Sequence, residues 1–221
     1  MPTINDFKDR DGVFVGTFMC LGKQYTTKSY MLWYDVRKRC TKGGSVQKRE
    51  PTYTDCTMSG NFSNYQYFAE WCTRQVGYNL GYHLDKDILF KNNKVYSEES
   101  CVFVPKQLNN FLTSRNKCRG QFPQGVSFHK NSGLYASSIS ISSVSTHIGL
   151  YRTPLDAHKA YITAKECEAR RWAKRLSNKE FTVDERVIDA LLKWRFEMDE
   201  NYFNIASKRI AEAQENKLKD S

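Results

Sequence analysis

The chain has 221 residues, 40% of them hydrophobic and 14% aromatic, which suits a folded core and excludes a disordered polymer. No stretch approaches the roughly 20 apolar residues of a membrane span, and the charged start (Asp6, Lys8, Asp9, Arg10, Asp11) has no apolar leader core, so a cytoplasmic protein with no membrane partner is expected. The net charge of +10 is uneven: residues 177–221 carry 8 basic and 10 acidic side chains, leaving +12 on the first 176 and pointing to a polyanion such as nucleic acid.

The opening alternates at Val13, Val15 and Phe18, as a short β segment would. Two helical stretches follow. Ser29–Cys40 is basic and aromatic, and Asn61–Cys72 places Phe62, Tyr65, Ala69 and Cys72 at helical spacing, with a Gly43–Gly44 loop between the two. Their aromatic residues are expected in the core rather than as stacking platforms for bases. The seven cysteines show no C-x-x-C pair and no finger spacing with the four histidines, so they read as buried free thiols in a reducing compartment.

Residues 81–118 predict strand, loop, strand, helix: His83–Leu89, the polar Lys91–Lys94, the apolar run Cys101–Val104 closed by Pro105, and a helix over Lys106–Ser114. Beyond Arg119-Gly120 the alternation is clearest. Three short strands carry Val126 and Phe128, then Tyr135, Ile139 and Ile141, then Ile148 and Leu150, linked by turns at Asn131–Gly133 and Ser143–Ser145. Thr153 as N-cap, Pro154 and Asp156 open a helix whose Ala157, Ala160, Tyr161 and Ala164 recur on one face. Finally, Thr182 and Glu185 predict a capping box before the stripe Val187, Leu191, Trp194, Met198.

If the apolar residues Val126, Phe128, Ile139, Ile141, Ile148 and Leu150 face the helix, the other sheet face carries Ser127, His129, Ser138, Ser140, Ser142 and His147. Short hydroxyls and imidazoles on a narrow sheet suit base edges in a major groove, while Lys130, Arg152, Arg170 and Arg171 would hold phosphates. The order Gly125-Val126-Ser127, Tyr135-Ala136, Ile148-Gly149-Leu150-Tyr151-Arg152-Thr153 and Asp156-Ala157-His158-Lys159-Ala160-Tyr161 closely resembles the ethylene-response-factor type of DNA-binding domain, known from plants and from phage endonucleases. That resemblance covers about 50 residues and implies duplex DNA as partner. It departs from the plant pattern in carrying serines and histidines where arginines and tryptophans read the bases.

The preceding segment adds a second resemblance. Leu84–Leu89, Asn92-Asn93, Tyr96–Pro105 and Leu108-Asn109-Asn110 are similar to the HNH, or ββα-metal, motif of phage homing-type endonucleases. There a strand delivers a base and a metal ligand, a loop Asn orients them, and a helix returns a last Asn or His. The usual first histidine is absent. Counting back from Asn92 puts Asp85 in its place, whereas matching the apolar residues of the strand makes Asp85 the metal ligand and Lys86 the base. His83 offers a substitute base, two residues before Asp85 and so on the same strand face as Asp85 and Asp87. The resemblance implies Asn93 and Asn109 as orienting and final residues, Asp85 and Asp87 as ligands, and Mg²⁺ or another divalent cation as cofactor. The lead-in from Trp33 to Cys40, Pro51–Asp55, and Phe68 with Trp71 extends it to roughly residues 28–175.

An α+β protein is therefore expected, with an HNH-like nuclease segment and its aromatic lead-in at 1–118, a three-stranded antiparallel sheet packed on one helix at 119–176, and a helical tail at 177–221. The activity implied is Mg²⁺-dependent hydrolysis of duplex DNA in the cytoplasm of a phage host. Two alternatives use the same scaffold: a catalytically inactive DNA-binding regulator, or a phage effector that binds a host protein.

Overall fold

The computed structural model describes residues 2–113, 122–141 and 144–196. The protein is α+β and divides into two compact units, Met1–Asn109 with Leu176–Ala190, and Asn110–Arg175 with Leu191–Ser221. Where the sequence predicts a separate tail from residue 177, residues 176–190 instead join the first unit, and there the Arg186 guanidinium donates to the Glu99 carbonyl oxygen at 3.0 Å. Among the described residues no helix is long and apolar enough to cross a membrane.

The first unit opens with a small sheet: β1 (Thr3–Ile4) runs parallel to β3 (Lys23–Thr27), and β2 (Thr17–Cys20) is antiparallel to β3. The expected β opening over Val13–Phe18 thus begins only at Thr17, and it returns as a hairpin because Leu21 and Gly22, at φ 48° and 73°, form a two-residue turn. Helix α1 (Lys28–Cys40) buries Trp33 and Val36, and α2 (Ser45–Arg49) follows. Strand β4 (Thr57–Met58) leads to α3 (Gly60–Ser63) and α4 (Tyr65–Arg74). The single helix predicted over Asn61–Cys72 splits because the Asn64 side-chain oxygen accepts the N–H groups of Gln66 at 2.8 Å and Tyr67 at 3.3 Å, capping a new helix.

The core of this unit is aromatic, as expected. Phe62 packs on Phe68 and Trp71 with ring centroids 5.0 and 4.7 Å apart, and Trp71 reaches Phe103 at 5.9 Å. Cys56, Cys72 and Cys101 are buried free thiols, whereas Cys20 and Cys167 are exposed, so burial describes only part of the cysteine set. Cys118 and Met198 lie outside the described residues. Helix α7 (Glu185–Lys193) buries Val187 and Leu191. Its start is capped by Asp184 rather than Thr182: the Asp184 carboxylate accepts the Arg186 N–H at 2.9 Å.

In the second unit β8 (Val126–His129), β9 (Leu134–Ile141) and β10 (Val144–Tyr151) form the expected antiparallel meander, in order β10-β9-β8. Helix α6 (Pro154–Ser177) begins where the sequence predicts: the Thr153 hydroxyl accepts the Asp156 N–H at 3.1 Å and donates to the Asp156 carboxylate at 2.8 Å. Helix and sheet meet at Gly125, just before β8. Its φ of +81° disfavours any other residue, and a methyl group there would lie 2.1 Å from the Tyr161 ring. His158 Nδ1 lies 3.1 Å from the Gln124 carbonyl oxygen beside this contact. Gly125→Ala is expected to cost about 3 kcal/mol through the combined clash and backbone strain. Guanidinium unfolding checks this, and a loss below about 1 kcal/mol would show that Tyr161 moves aside freely.

Candidate functional site

In the first unit β5 (His83–Asp85) pairs antiparallel with β7 (Val102–Val104), and α5 (Lys106–Leu112) follows directly. Strand β6 (Val95–Tyr96), which pairs with β4, lies between them in sequence. Pro105 separates strand from helix, as the sequence predicts, and α5 closes at Leu112; Ser114, the expected end, is outside the described residues.

The predicted strand over His83–Leu89 is shorter than expected for a specific reason. Asp85 Oδ1 accepts the N–H groups of Asp87 at 2.8 Å and Ile88 at 2.7 Å, which bends the chain into a turn. Asp87 therefore lies beyond the strand, and strand alternation does not align it with His83 and Asp85 as the sequence suggests. Lys86 is buried, only 5% exposed, with its ammonium donating to Asp87 Oδ1 at 2.7 Å and to the Asn93 carbonyl oxygen. Asn93 completes the brace. Its Nδ2 donates to the Lys86 and Val95 carbonyls at 2.9 and 2.6 Å, while its Oδ1 accepts the Val95 N–H at 3.0 Å. Asn93 thus braces the loop, and Lys86 is a buried tie that joins Asp87 to the Asn93 carbonyl.

The helix end of the segment also converges. Asn109 on α5 presents its carboxamide Nδ2 3.5 Å from His83 Nδ1 on β5. His83 itself is exposed, so its other ring nitrogen can reach solvent or a ligand. Burial pushes the Asp85 carboxyl above the usual range, opposed by the two backbone N–H groups it accepts. Among the described residues no group of three or more His, Cys, Asp or Glu side chains comes close enough to hold a metal ion. Asp85 and Asp87 remain two hard-oxygen donors in one turn. One oxygen of each is already engaged, Asp85 Oδ1 by two backbone N–H groups and Asp87 Oδ1 by Lys86, and Mg²⁺ takes only one or two carboxylates from a protein and keeps several waters.

The second unit holds the other predicted surface. Strand register puts Ser127 opposite Ala136, His129 opposite Leu134, and His147 opposite Ser138, so Ser127, His129, Ser138, Ser140 and His147 share one face as expected. Ser142 falls outside the described residues. The opposite face contains Ser137 and Ile139, both buried, together with Val126, Phe128, Tyr135 and Ile141. Phe128 sits at its margin, 45% exposed, with its ring against Tyr135.

Two residues of the predicted apolar face do not follow the alternation. A bulge between His147 and Gly149 shifts the register, so Leu150 pairs with Ala136 and stands on the open face, while Ile148 is the inserted residue. Ser145, opposite Ser140, also joins the open face and was not among the predicted contacts. Gly149 within a strand pattern is the sequence signal that marks such a bulge. Of the predicted cations, Lys130 and Arg152 are exposed beside the sheet. Arg170 and Arg171 are also exposed, but each sits near an acid of its own helix, Glu166 at 3.5 Å and Glu168 at 3.3 Å. A stronger charge signal lies in the sequence itself: between Glu99 and Asp156 there is no Asp or Glu, against six Lys and Arg residues.

No protein-family model, no curated protein and no solved structure matches the chain.

The Asp85 environment makes a stability prediction. A carboxyl whose folded pKa is raised binds more protons folded than unfolded, so its contribution to stability is present below the unfolded pKa of about 3.9 and is lost as pH rises through the folded value. Asp85→Asn keeps an oxygen for the Asp87 and Ile88 N–H groups and removes the charge. The variant should therefore unfold at a higher temperature than wild type at neutral pH, with the difference shrinking towards pH 4. Equal melting temperatures across that range would mean that the carboxylate is well solvated.

Proposed function

We propose that the chain is a DNA endonuclease of the ββα-metal kind that holds duplex DNA on the open face of β8–β10. The observation that carries the reading is the β5–β7–α5 arrangement, in which Asn109 on the helix meets His83 on the first strand at 3.5 Å. With the Asn109 carboxamide oxygen turned towards His83, Nδ1–H donates to it and Nε2 is left to take a proton from water. The water oxygen then attacks phosphorus, and the sugar oxygen on the far side leaves. Asp85 and Asp87 would hold a divalent cation, which when bound supplies stabilisation of charge on the phosphate and on the leaving oxygen. Asn93 and Lys86 keep the ligand turn in shape from behind.

Duplex DNA as substrate is supported by the acid-free run from Ser100 to Leu155 and by the uncharged, hydroxyl- and imidazole-bearing sheet face within it. A second reading, a DNA-binding regulator that does not cut, is favoured by one observation: an oxygen of Asp85 is already engaged by two backbone N–H groups.

Supercoiled plasmid incubated with Mg²⁺ or Mn²⁺ separates the two. Cleavage by the wild-type protein should fall by about 10²–10⁴-fold in His83→Ala, the range expected for loss of a general base, and Asp85→Ala should abolish the response to added metal. Cleavage that survives both substitutions would remove this segment from the mechanism, and an inert wild type that still binds DNA would establish the regulator. Replacing His129 and Lys130 by alanine should weaken DNA binding, and affinity should fall steeply with added salt because phosphate contacts release counterions.

A further inference from the structure

The open sheet face is not uniform along its length. Strand β9 divides it in two: at the Ser138–Ser140 end its neighbours are His147 and Ser145, all hydrogen-bonding groups, whereas at the Leu134–Ala136 end the bulge brings Leu150 beside Ala136. Leu150 is 41% exposed, although an apolar side chain of that size gains nothing from water. Without the bulge it would point to the covered face with Ile139. The row Ser127–Ala136–Leu150 therefore crosses all three strands as a hydroxyl, a methyl and an isobutyl group.

We propose that Leu150, with Ala136 beside it, selects thymine-bearing base pairs by packing on the thymine C5 methyl group in the major groove. The inference rests on the reading of this face as the DNA surface and adds which bases it prefers. Three features favour DNA as the occupant. The face carries no acidic side chain among its described residues, Lys130 and Arg152 flank it, and the sequence around it is free of Asp and Glu from residue 100 to 155. Within the major groove, thymine alone among the bases offers a methyl group, and apolar side chains are its natural partners. The spacing also fits: two residues along a strand span about 6.8 Å, roughly two base-pair rises of 3.4 Å. Leu150 and His147 would then address different base pairs, the first by apolar contact and the second by hydrogen bonds.

The test uses two pools of random-sequence duplexes of about 30 base pairs, identical except that one carries deoxyuridine for thymidine in both strands. The full chain should bind the deoxyuridine pool about fourfold more weakly or worse, the effect of one buried methyl group at about 0.8 kcal/mol. Leu150→Ala should bind both pools alike, at the affinity of wild type for deoxyuridine, and Leu150→Met should keep the preference. Indifference of the wild type to the methyl group, or a thymine preference that persists in Leu150→Ala, overturns the proposal. A His129→Ala, His147→Ala double variant separates that failure from a deeper one. If it weakens DNA binding while the methyl group has no effect, the face binds DNA and only the role of Leu150 is wrong. If it leaves affinity unchanged, the face is not the DNA surface and both readings fall.

Discussion

Burial of β7 on both its faces is the constraint on which the first unit depends. Val102, Phe103 and Val104 are all buried, with Pro105 buried behind them. Phe103 touches Trp71 and Tyr78, which ties the strand to α4 and to the turn after it. A strand fixed this firmly can hold a weaker partner in register. It positions β5, whose His83 and Asp85 would otherwise sit on a three-residue edge, and it launches α5, which carries Asn109 back towards His83. Hydrophobic burial thus sets the distance between two polar side chains that have little force of their own to hold them.

Behind that frame the polar groups work against their surroundings. Asp85 is desolvated, and Lys86, a long cation, is turned inwards to meet Asp87 and the Asn93 carbonyl. Buried charges of this kind rarely add net stability relative to apolar replacements, because desolvation offsets their attraction. At the turn between β5 and β6 these groups fix the path of the loop, Lys86 tying Asp87 to the Asn93 carbonyl and Asn93 holding the Lys86 and Val95 carbonyls.

The second unit relies on a different device. An antiparallel sheet with one covered face normally sorts its side chains strictly by alternation. Here a single inserted residue in β10 reverses the sorting beyond His147, so that the open face gains Leu150 and becomes chemically two-ended. Gly125 performs a related service at the other edge, where the absence of a side chain lets the Tyr161 ring reach the backbone. Two small backbone irregularities, one inserted residue and one glycine, give this unit its character.

Much of this was legible in the order of residues. Alternation located the three strands of the second unit, Thr153-Pro154 with Asp156 located the start of α6, and the run Cys101–Val104 before Pro105 located β7, because these features depend on local periodicity and capping. The pairing of His129, Ser127 and His147 on one face also followed, since most of that sheet obeys a period of two. What the local pattern could not carry was decided by hydrogen bonds across turns and by register. Asn64 broke a helix that periodicity made continuous, and Asp85 ended a strand by drawing two N–H groups onto one oxygen. The bulge moved Leu150 to the open face, and packing returned residues 176–190 to the first unit. The sequence by itself determined where most strands and helices form; the tertiary structure alone decided which side chains meet, because a shift of one residue in a strand, or one side-chain oxygen at a turn, redirects every group beyond it.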